Sequence, residues 1–311
     1  MRHFALTVIS CFLLLPASAN SIPSLTPAAG TAAADTIPEL ELPNVPATLR
    51  DLRTRANYIV AHFWDALDFR DTRRSRNRAF MEQSFSNFIS VFPYAGEQEQ
   101  RETVGSLLKK AEADSAAYML LIDIAEKYLY ETESPMQSED YYIFFLENIV
   151  TSPILGTQGT IRPRRQLEAA RKNRPGMTAA DFAYTTRNGR RTTLHKTAVK
   201  GELLLMFYDP DCEHCKETMA EMQQNKQLAN QIAEGVRTVL AIYSGDDREL
   251  WQRTAVSLPE NWVVGYESGL MQETGAYVLR TMPTLYLLDR DKKVVQKEVR
   301  PEKLFPAENN Q

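Results

Sequence analysis

The stretch FYDPDCEHCKETM, residues 207–219, places two cysteines two residues apart directly after an apolar run. Residues 203–208 form that run, which is typical of a strand buried on both faces, and a helical pattern follows it. The first sulfur, on Cys212, is therefore expected at a helix N-terminus, where free N–H groups and the helix dipole favour a thiolate. Cys215 lies about one turn further on, close enough for a disulfide to close.

The cysteine pair alone is compatible with several kinds of site. An inert disulfide with only a structural role would add little stability, because so short a loop removes little entropy from the unfolded chain. A metal site would use Cys212 and Cys215 with His214 or His195, but a structural zinc site needs four ligands. Copper(I) remains open because two thiolates can hold it. A redox-inactive binding module also remains open, since a fold does not establish a function.

Short β-rich runs alternate with helical ones from about residue 173 onwards. Strand, helix, strand, helix and an antiparallel ending together indicate a mixed central sheet covered by helices. A turn at Asn188-Gly189 separates the first strand from the rest. The predicted strands are residues 182–186, 203–208, 238–243, 262–266 and 284–288, with a final short strand at 294–295.

The preceding part of the chain, residues 48–172, has apolar residues at steps of three and four and is predicted to be an all-helical domain of five or six helices. It contains no motif with chemical content, so its role stays unknown. Its aromatic residues at helical spacing are expected to fill the core of that domain. They are Phe63, Trp64, Phe69, Phe80, Phe85, Phe88 and Phe92.

Residues 174–302 resemble the thioredoxin-like proteins, especially the exported TlpA/ResA-type branch. The resemblance rests on Ala180-Asp181-Phe182, Asn188-Gly189, Gly201-Glu202, the cysteine pair and Thr281-Met282-Pro283-Thr284. It implies thiol–disulfide exchange, with Cys212 attacking and Cys215 resolving the mixed disulfide. It also implies that Pro283, preceded by Met282, has a cis peptide bond, lies against the cysteines and shapes the groove for an extended substrate segment.

The chain departs from that family near the cysteines. Asp211 stands where the family often has tryptophan, and Met206 stands where thioredoxin has a buried aspartate for proton transfer. Glu202, at the entrance of the strand, is a substitute proton acceptor. Acidic residues around the pair are expected to raise the thiol pKa values. His214 opposes them as a modulator, and the strongly oxidising periplasmic member of the family also has histidine there.

The N-terminus reads as an export signal, residues 1–19, with a basic start, an apolar stretch and a small-residue cleavage site. Lipid attachment at Cys11 is the alternative. A Pro/Ala-rich disordered tether, residues 20–47, should follow. We expect a thioredoxin-like domain at residues 173–302 and a flexible tail at 303–311. Export places the protein in the periplasm or cell envelope, where disulfides form and persist.

The composition excludes some functions. The 311 residues have a net charge of −4, which gives the whole protein no electrostatic reason to bind nucleic acid. No run after the signal is long enough to span a bilayer. We expect no cofactor, and as partners we expect protein thiol or disulfide substrates in the cell envelope and an upstream redox partner. The whole chain also resembles a family of exported Bacteroidetes proteins with this architecture, which adds a location and no activity.

Overall fold

A computed structural model describes residues 39–299 and residue 304 of the chain. The predicted signal peptide, Cys11 and most of the predicted tail lie outside the described residues. In the described part, a helical region precedes a mixed sheet with flanking helices, which confirms the predicted fold class. No helix in this part is long and apolar enough to cross a membrane.

Six helices of ten residues or more build the helical region. At four of them a side chain at the N-cap accepts a hydrogen bond from a free backbone N–H group, as Asp51 does from Thr54 at 2.9 Å and Asn77 does from Phe80 at 3.0 Å. Two four-residue helices, α2 and α7, and a 3-10 turn, Phe92–Tyr94, complete the region. The helices are α1 Leu52–His62, α2 Thr72–Ser75, α3 Arg78–Val91, α4 Glu97–Ala111, α5 Ser115–Leu129, α6 Glu139–Ile149, α7 Gly156–Gly159 and α8 Ile161–Ala170.

The core of the helical region is aromatic. All seven aromatic residues of the predicted stripe are buried in one cluster, so their prediction as core residues is confirmed. Leu40 packs into the same cluster and is only 8% exposed. Leu40 belongs to the segment expected to be a tether, residues 20–47, of which residues 20–38 lie outside the described residues.

Seven strands form one sheet in the order β2-β1-β5-β4-β3-β6-β7. Strands β3, β4 and β5 are parallel, whereas β6 runs antiparallel to β3 and β1 runs antiparallel to β5. The strands are β1 Ala183–Thr186, β2 Arg191–Thr193, β3 Glu202–Tyr208, β4 Arg237–Ser244, β5 Val263–Glu267, β6 Thr284–Leu288 and β7 Val294–Gln296.

The two faces of the sheet have separate cores. Alternating side chains of β3 divide between them, with Leu204 and Met206 on one face and Leu203 and Leu205 on the other. Three helices pack against the first face, namely α9 Glu213–Gln224, α10 Lys226–Ala233 and α11 Arg248–Ala255. A short helix, α12 Leu270–Glu273, packs against the second face through Met271.

The outermost strands of the sheet, β2 and β7, have three residues each. The outer side of β7 is also covered in part, because the Gly176 amide donates to the Val294 carbonyl at 2.7 Å and the Val294 amide donates to the Met177 carbonyl at 2.8 Å. A single bridge joins Thr178 to Lys293 beside them. Little unpaired backbone remains along β7.

Candidate active site

The first cysteine caps a helix. Strand β3 ends at Tyr208, and Cys212 is the N-cap residue of α9, with extended backbone angles of φ −76° and ψ 121°. Its Sγ atom accepts a hydrogen bond from the backbone N–H of Cys215 at 3.3 Å. The sulfur thus occupies the position of a capping oxygen, where negative charge is stabilised by the free N–H groups of the first turn. Cys212 is half-buried.

The second cysteine is buried. Cys215 is 0% exposed and lies among apolar side chains of the sheet face that α9 covers. Burial, together with the neighbouring Cys212 and Asp209, raises the pKa of its thiol to about 12. The backbone N–H of Asp209, which donates to the Cys215 sulfur at 3.5 Å, acts in the opposite direction. Both cysteines are free thiols in the structure.

A cis peptide bond lies beside Cys212. It joins Met282 to Pro283, immediately before β6. The neighbouring strands explain the proximity, because Phe207 near the end of β3 pairs with Thr284 at the start of β6. The Cys212 thiol donates to the Met282 carbonyl across 3.6 Å. The structure therefore brings together four residues that the sequence selected: both cysteines, Met282 and Pro283.

The two polar residues selected between or next to the cysteines are on the surface. His214 is 65% exposed, and its Nδ1 atom lies 3.7 Å from a carboxylate oxygen of Glu217. Asp211 is also exposed, and its backbone N–H donates to the side chain of Asp209 at 2.8 Å. Neither side chain touches Cys215.

The structure does not bring Glu202 to the cysteine pair. It begins β3, six residues before Tyr208, and six residues of strand span about 20 Å. Its carboxylate pairs with the guanidinium of Arg237 on the neighbouring strand. The sequence expectation that Glu202 accepts a proton from the resolving thiol is thus not supported by its position, because β3 runs toward the site and its first residue lies at the opposite end.

The metal-site interpretation gains no further ligand from the structure. His195, one of the histidines considered for it, makes a 2.7 Å contact with the Ala179 carbonyl and lies 3.9 Å from Asp181. Within the described residues, no three histidine, cysteine or acidic side chains are grouped closely enough to hold a metal ion.

The segment before the cis-proline is held by the helical region, which the sequence did not predict. The Arg280 side chain is 11% exposed. It donates to the Tyr130 carbonyl at 2.7 Å, and its guanidinium lies 4.2 Å from the centroid of the Tyr130 ring. It also pairs with Glu298 and, at 3.4 Å, with Glu139 of α6. Lys297 completes this buried network with a 2.7 Å ion pair to Glu139.

Family models match both parts of the chain. Residues 19–173 match a domain of unknown function, DUF5106, and residues 192–304 match a thioredoxin-like domain. No curated protein matches the sequence.

Solved structures from Bacteroides species are similar to the chain. A thioredoxin-like protein from Bacteroides caccae is 30% identical and has a TM-score of 0.79 over 86% of this chain and 97% of that one. A conserved protein of unknown function from Bacteroides fragilis is 35% identical, covers 42% of this chain and 96% of its own, and has a TM-score of 0.41. The thioredoxin domain of a thiol-disulfide oxidoreductase from Bacteroides vulgatus is 18% identical, with 42% and 93% covered and a TM-score of 0.37.

Proposed function

We propose that this chain, which belongs to the family of thioredoxin-like proteins, is a protein thiol–disulfide oxidoreductase. One observation carries the proposal: Cys212 caps α9 beside the cis-proline segment, with Cys215 buried one turn behind it. A half-exposed sulfur at a helix N-terminus is suited to attack, and a shielded sulfur within reach is suited to resolve the product. A purely structural disulfide would need neither a half-exposed Cys212 nor a shielded Cys215.

The exchange proceeds in two displacements. The Cys212 thiolate attacks one sulfur of a substrate disulfide, which forms a mixed disulfide and releases the other substrate sulfur as a thiolate that takes up a proton. Cys215 then loses its proton and attacks the Cys212 sulfur, which releases the second substrate thiol and leaves the Cys212–Cys215 disulfide. Two electrons have passed from the protein dithiol to the substrate. The reverse sequence oxidises a substrate dithiol.

The second displacement needs a proton acceptor, because the raised pKa of Cys215 keeps its thiol protonated at neutral pH. We assign this role to the carboxylate of Asp209, in place of Glu202, since Asp209 acts electrostatically on Cys215 and its backbone contacts the sulfur. Asp209→Asn should slow release of the mixed disulfide by about tenfold or more. Asp211→Asn, a neutralisation two residues away, is the control, and equal slowing in both variants would remove the assignment.

The proposal is tested by titrating the purified protein in a glutathione redox series, with alkylation to report the free thiols. The pair should interconvert reversibly between dithiol and disulfide with one reduction potential. His214→Ala should make the couple more reducing, because a charged or hydrogen-bonding imidazole stabilises the thiolate form. If both thiols of the reduced, folded protein resist alkylation, the protein is not an oxidoreductase.

The location proposed for this activity is the periplasm or cell envelope, on the strength of the N-terminal sequence pattern. N-terminal analysis of protein from fractionated cells tests it. A mature chain that begins at Asn20 supports cleavage of a signal peptide, whereas a lipid-modified chain that begins at Cys11 supports anchoring. Recovery of the uncleaved chain from the cytosol would contradict export.

A further inference from the structure

A groove runs between the α/β part and the helical region beside the cis-proline. One wall is the segment Thr281 to Thr284, which contains Met282 and Pro283. The other wall is the α5–α6 loop, which we define as residues 130–138, and which contributes Thr132, Glu133 and Gln137. His214 and Glu298 also line the groove, whose volume is about 640 Å³.

The α5–α6 loop is fastened by hydrogen bonds at both ends and in the middle. The Ser138 amide donates to the Leu129 carbonyl at 3.0 Å, and the Ser134 hydroxyl donates to the Tyr128 carbonyl at 2.6 Å. Arg280, from the opposite wall, donates to the carbonyl of Tyr130 at the start of the loop. The loop is therefore a fixed wall of the groove. The Arg280 side chain, which supports the cis-proline segment, also holds the loop in place.

The groove carries an uncompensated negative charge. Glu298 is paired with Arg280, so its charge is offset. Glu133 is exposed and makes no hydrogen bond or ion pair within the described residues. The surface continues past Glu133 into a second depression, lined by Asp123, Glu126 and Glu131 together with Arg162 and Arg280. Asp123 is paired with Arg78 and Glu126 with Arg162, so Glu131 is the one of these three carboxylates without an ion pair within the described residues.

The charge around the reactive sulfur has the same sign. Asp211, Glu213 and Glu217 are exposed within five residues of Cys212, and Lys216 is the one lysine or arginine among residues 209–219. A positively charged segment that approaches this face is attracted along its path, whereas an acidic segment is repelled.

We propose that the α5–α6 loop is the second wall of the substrate site and that it selects extended protein segments with lysine or arginine next to the reacting cysteine. This inference rests on the proposed function. The segment reaches Cys212 along the cis-proline wall, and Glu133 faces it from the helical region. The helical region thereby acquires a role, which is to discriminate among disulfide substrates.

The test uses the reduced, mature protein and two disulfide-linked peptide dimers of equal length, one with lysines and one with glutamates next to its cysteine. Each turnover converts one dimer and the protein dithiol into two peptide thiols and the protein disulfide. Single-turnover rates should favour the lysine peptide at least about tenfold at low ionic strength, and the preference should shrink in about 0.5 M salt. Glu133→Lys should reduce the preference about fivefold, and Glu133→Gln should reduce it less.

Two controls separate this inference from its premise. Hydroxyethyl disulfide is small and neutral, so its reduction measures the cysteine pair without peptide binding in the groove, and the wild-type protein and Glu168→Lys should reduce it at the same rate. Glu168→Lys makes the same charge change at another exposed carboxylate of the helical region and should leave the peptide preference unchanged. Equal rates for both peptides, or equal effects of the Glu133 and Glu168 changes, overturn the inference while the proposed function stands. Failure to reduce hydroxyethyl disulfide overturns both.

Discussion

The sulfur of Cys212 lies 3.6 Å from the carbonyl oxygen of Met282, the residue that precedes the cis-proline. The two residues are 70 positions apart in the chain and meet because β3 and β6 are adjacent strands. In the proposed exchange, a substrate segment bound along the cis-proline wall lies next to the Cys212 sulfur. Cys215 lies behind that sulfur and contacts no such surface.

Single cysteine variants should behave differently in the cell. Cys215→Ser leaves an attacking thiol with nothing to resolve its mixed disulfide, so covalent complexes with substrates should accumulate. Cys212→Ser should trap few complexes, because Cys215 is fully buried. Mass spectrometry of non-reduced cell extracts from each variant measures this difference. Equal trapping by both variants, or trapping only through Cys215, would contradict the assignment of Cys212 as the attacking cysteine.

The buried thiol should make the reduced protein sensitive to alkaline pH. The folded pKa of Cys215 is about 12, above the value of about 8.5 for an unfolded cysteine. The contribution of this pKa difference to the free energy of unfolding is fully present below about pH 8.5. It is lost as pH rises toward 12, because in that range only the unfolded chain releases the Cys215 proton. The slope is at most about 1.4 kcal/mol per pH unit.

Urea denaturation of the reduced protein between pH 7 and pH 10.5 measures this dependence. Cys215→Ala is the matched comparison, because it removes this thiol and keeps the other titrating groups. The difference between the two proteins should be constant below pH 8 and should change steadily above pH 9. A difference that stays constant throughout the range would show that Cys215 ionises normally in the fold.

The buried ion network should contribute far more to stability than the exposed pair next to it. Glu139→Gln leaves Arg280 and Lys297 without their shared carboxylate and should cost about 3 kcal/mol of unfolding free energy. Asp140→Asn removes an exposed 2.7 Å pair with Arg174 from the same first turn of α6 and should cost less than about 1 kcal/mol. Urea unfolding of both variants gives the comparison. Similar losses would mean that the Arg280 network is solvated.

A chain that begins at residue 171 should fold and keep its thiol chemistry. The core of the helical region and the two cores of the sheet are separate sets of residues, so the α/β part retains its own apolar clusters. We expect this shortened protein to reduce hydroxyethyl disulfide at a rate similar to that of the full chain and to lose the preference for basic peptides. Circular dichroism and the same rate assay check both points. An unfolded product would show that the regions depend on each other for folding.

The sequence predicted the strands well because the runs of β3 and β4 are continuous and apolar, which is typical of strands buried on both faces of a sheet. It missed β2, whose Arg-Thr-Thr sequence carries no apolar pattern. The helical pattern that it placed after β3 is two helices, α9 and α10, which are divided at Asn225, whose side chain accepts from the Leu228 amide at 2.8 Å. Asparagine favours such caps, but a single one inside a helical pattern is a weak signal.

The cysteines, Met282 and Pro283 were predictable because each belongs to a motif of fixed spacing. Arg280 was not, since its importance comes from contacts with another part of the chain. It meets Tyr130, 150 residues away, and no local pattern records that contact. Glu202 was selected because it is a carboxylate at the entrance of the strand, but the length of β3 places it at the end opposite the site.

The short outer strands of the sheet matter for a protein whose substrates are extended segments. An open sheet edge would accept such segments along its whole length by backbone hydrogen bonding, without any selection of sequence. With three residues in β2, three in β7 and residues 176–178 covering the latter, the sheet offers little edge for such pairing. Extended segments, including those of other copies of the protein, therefore find little backbone to pair with along these strands.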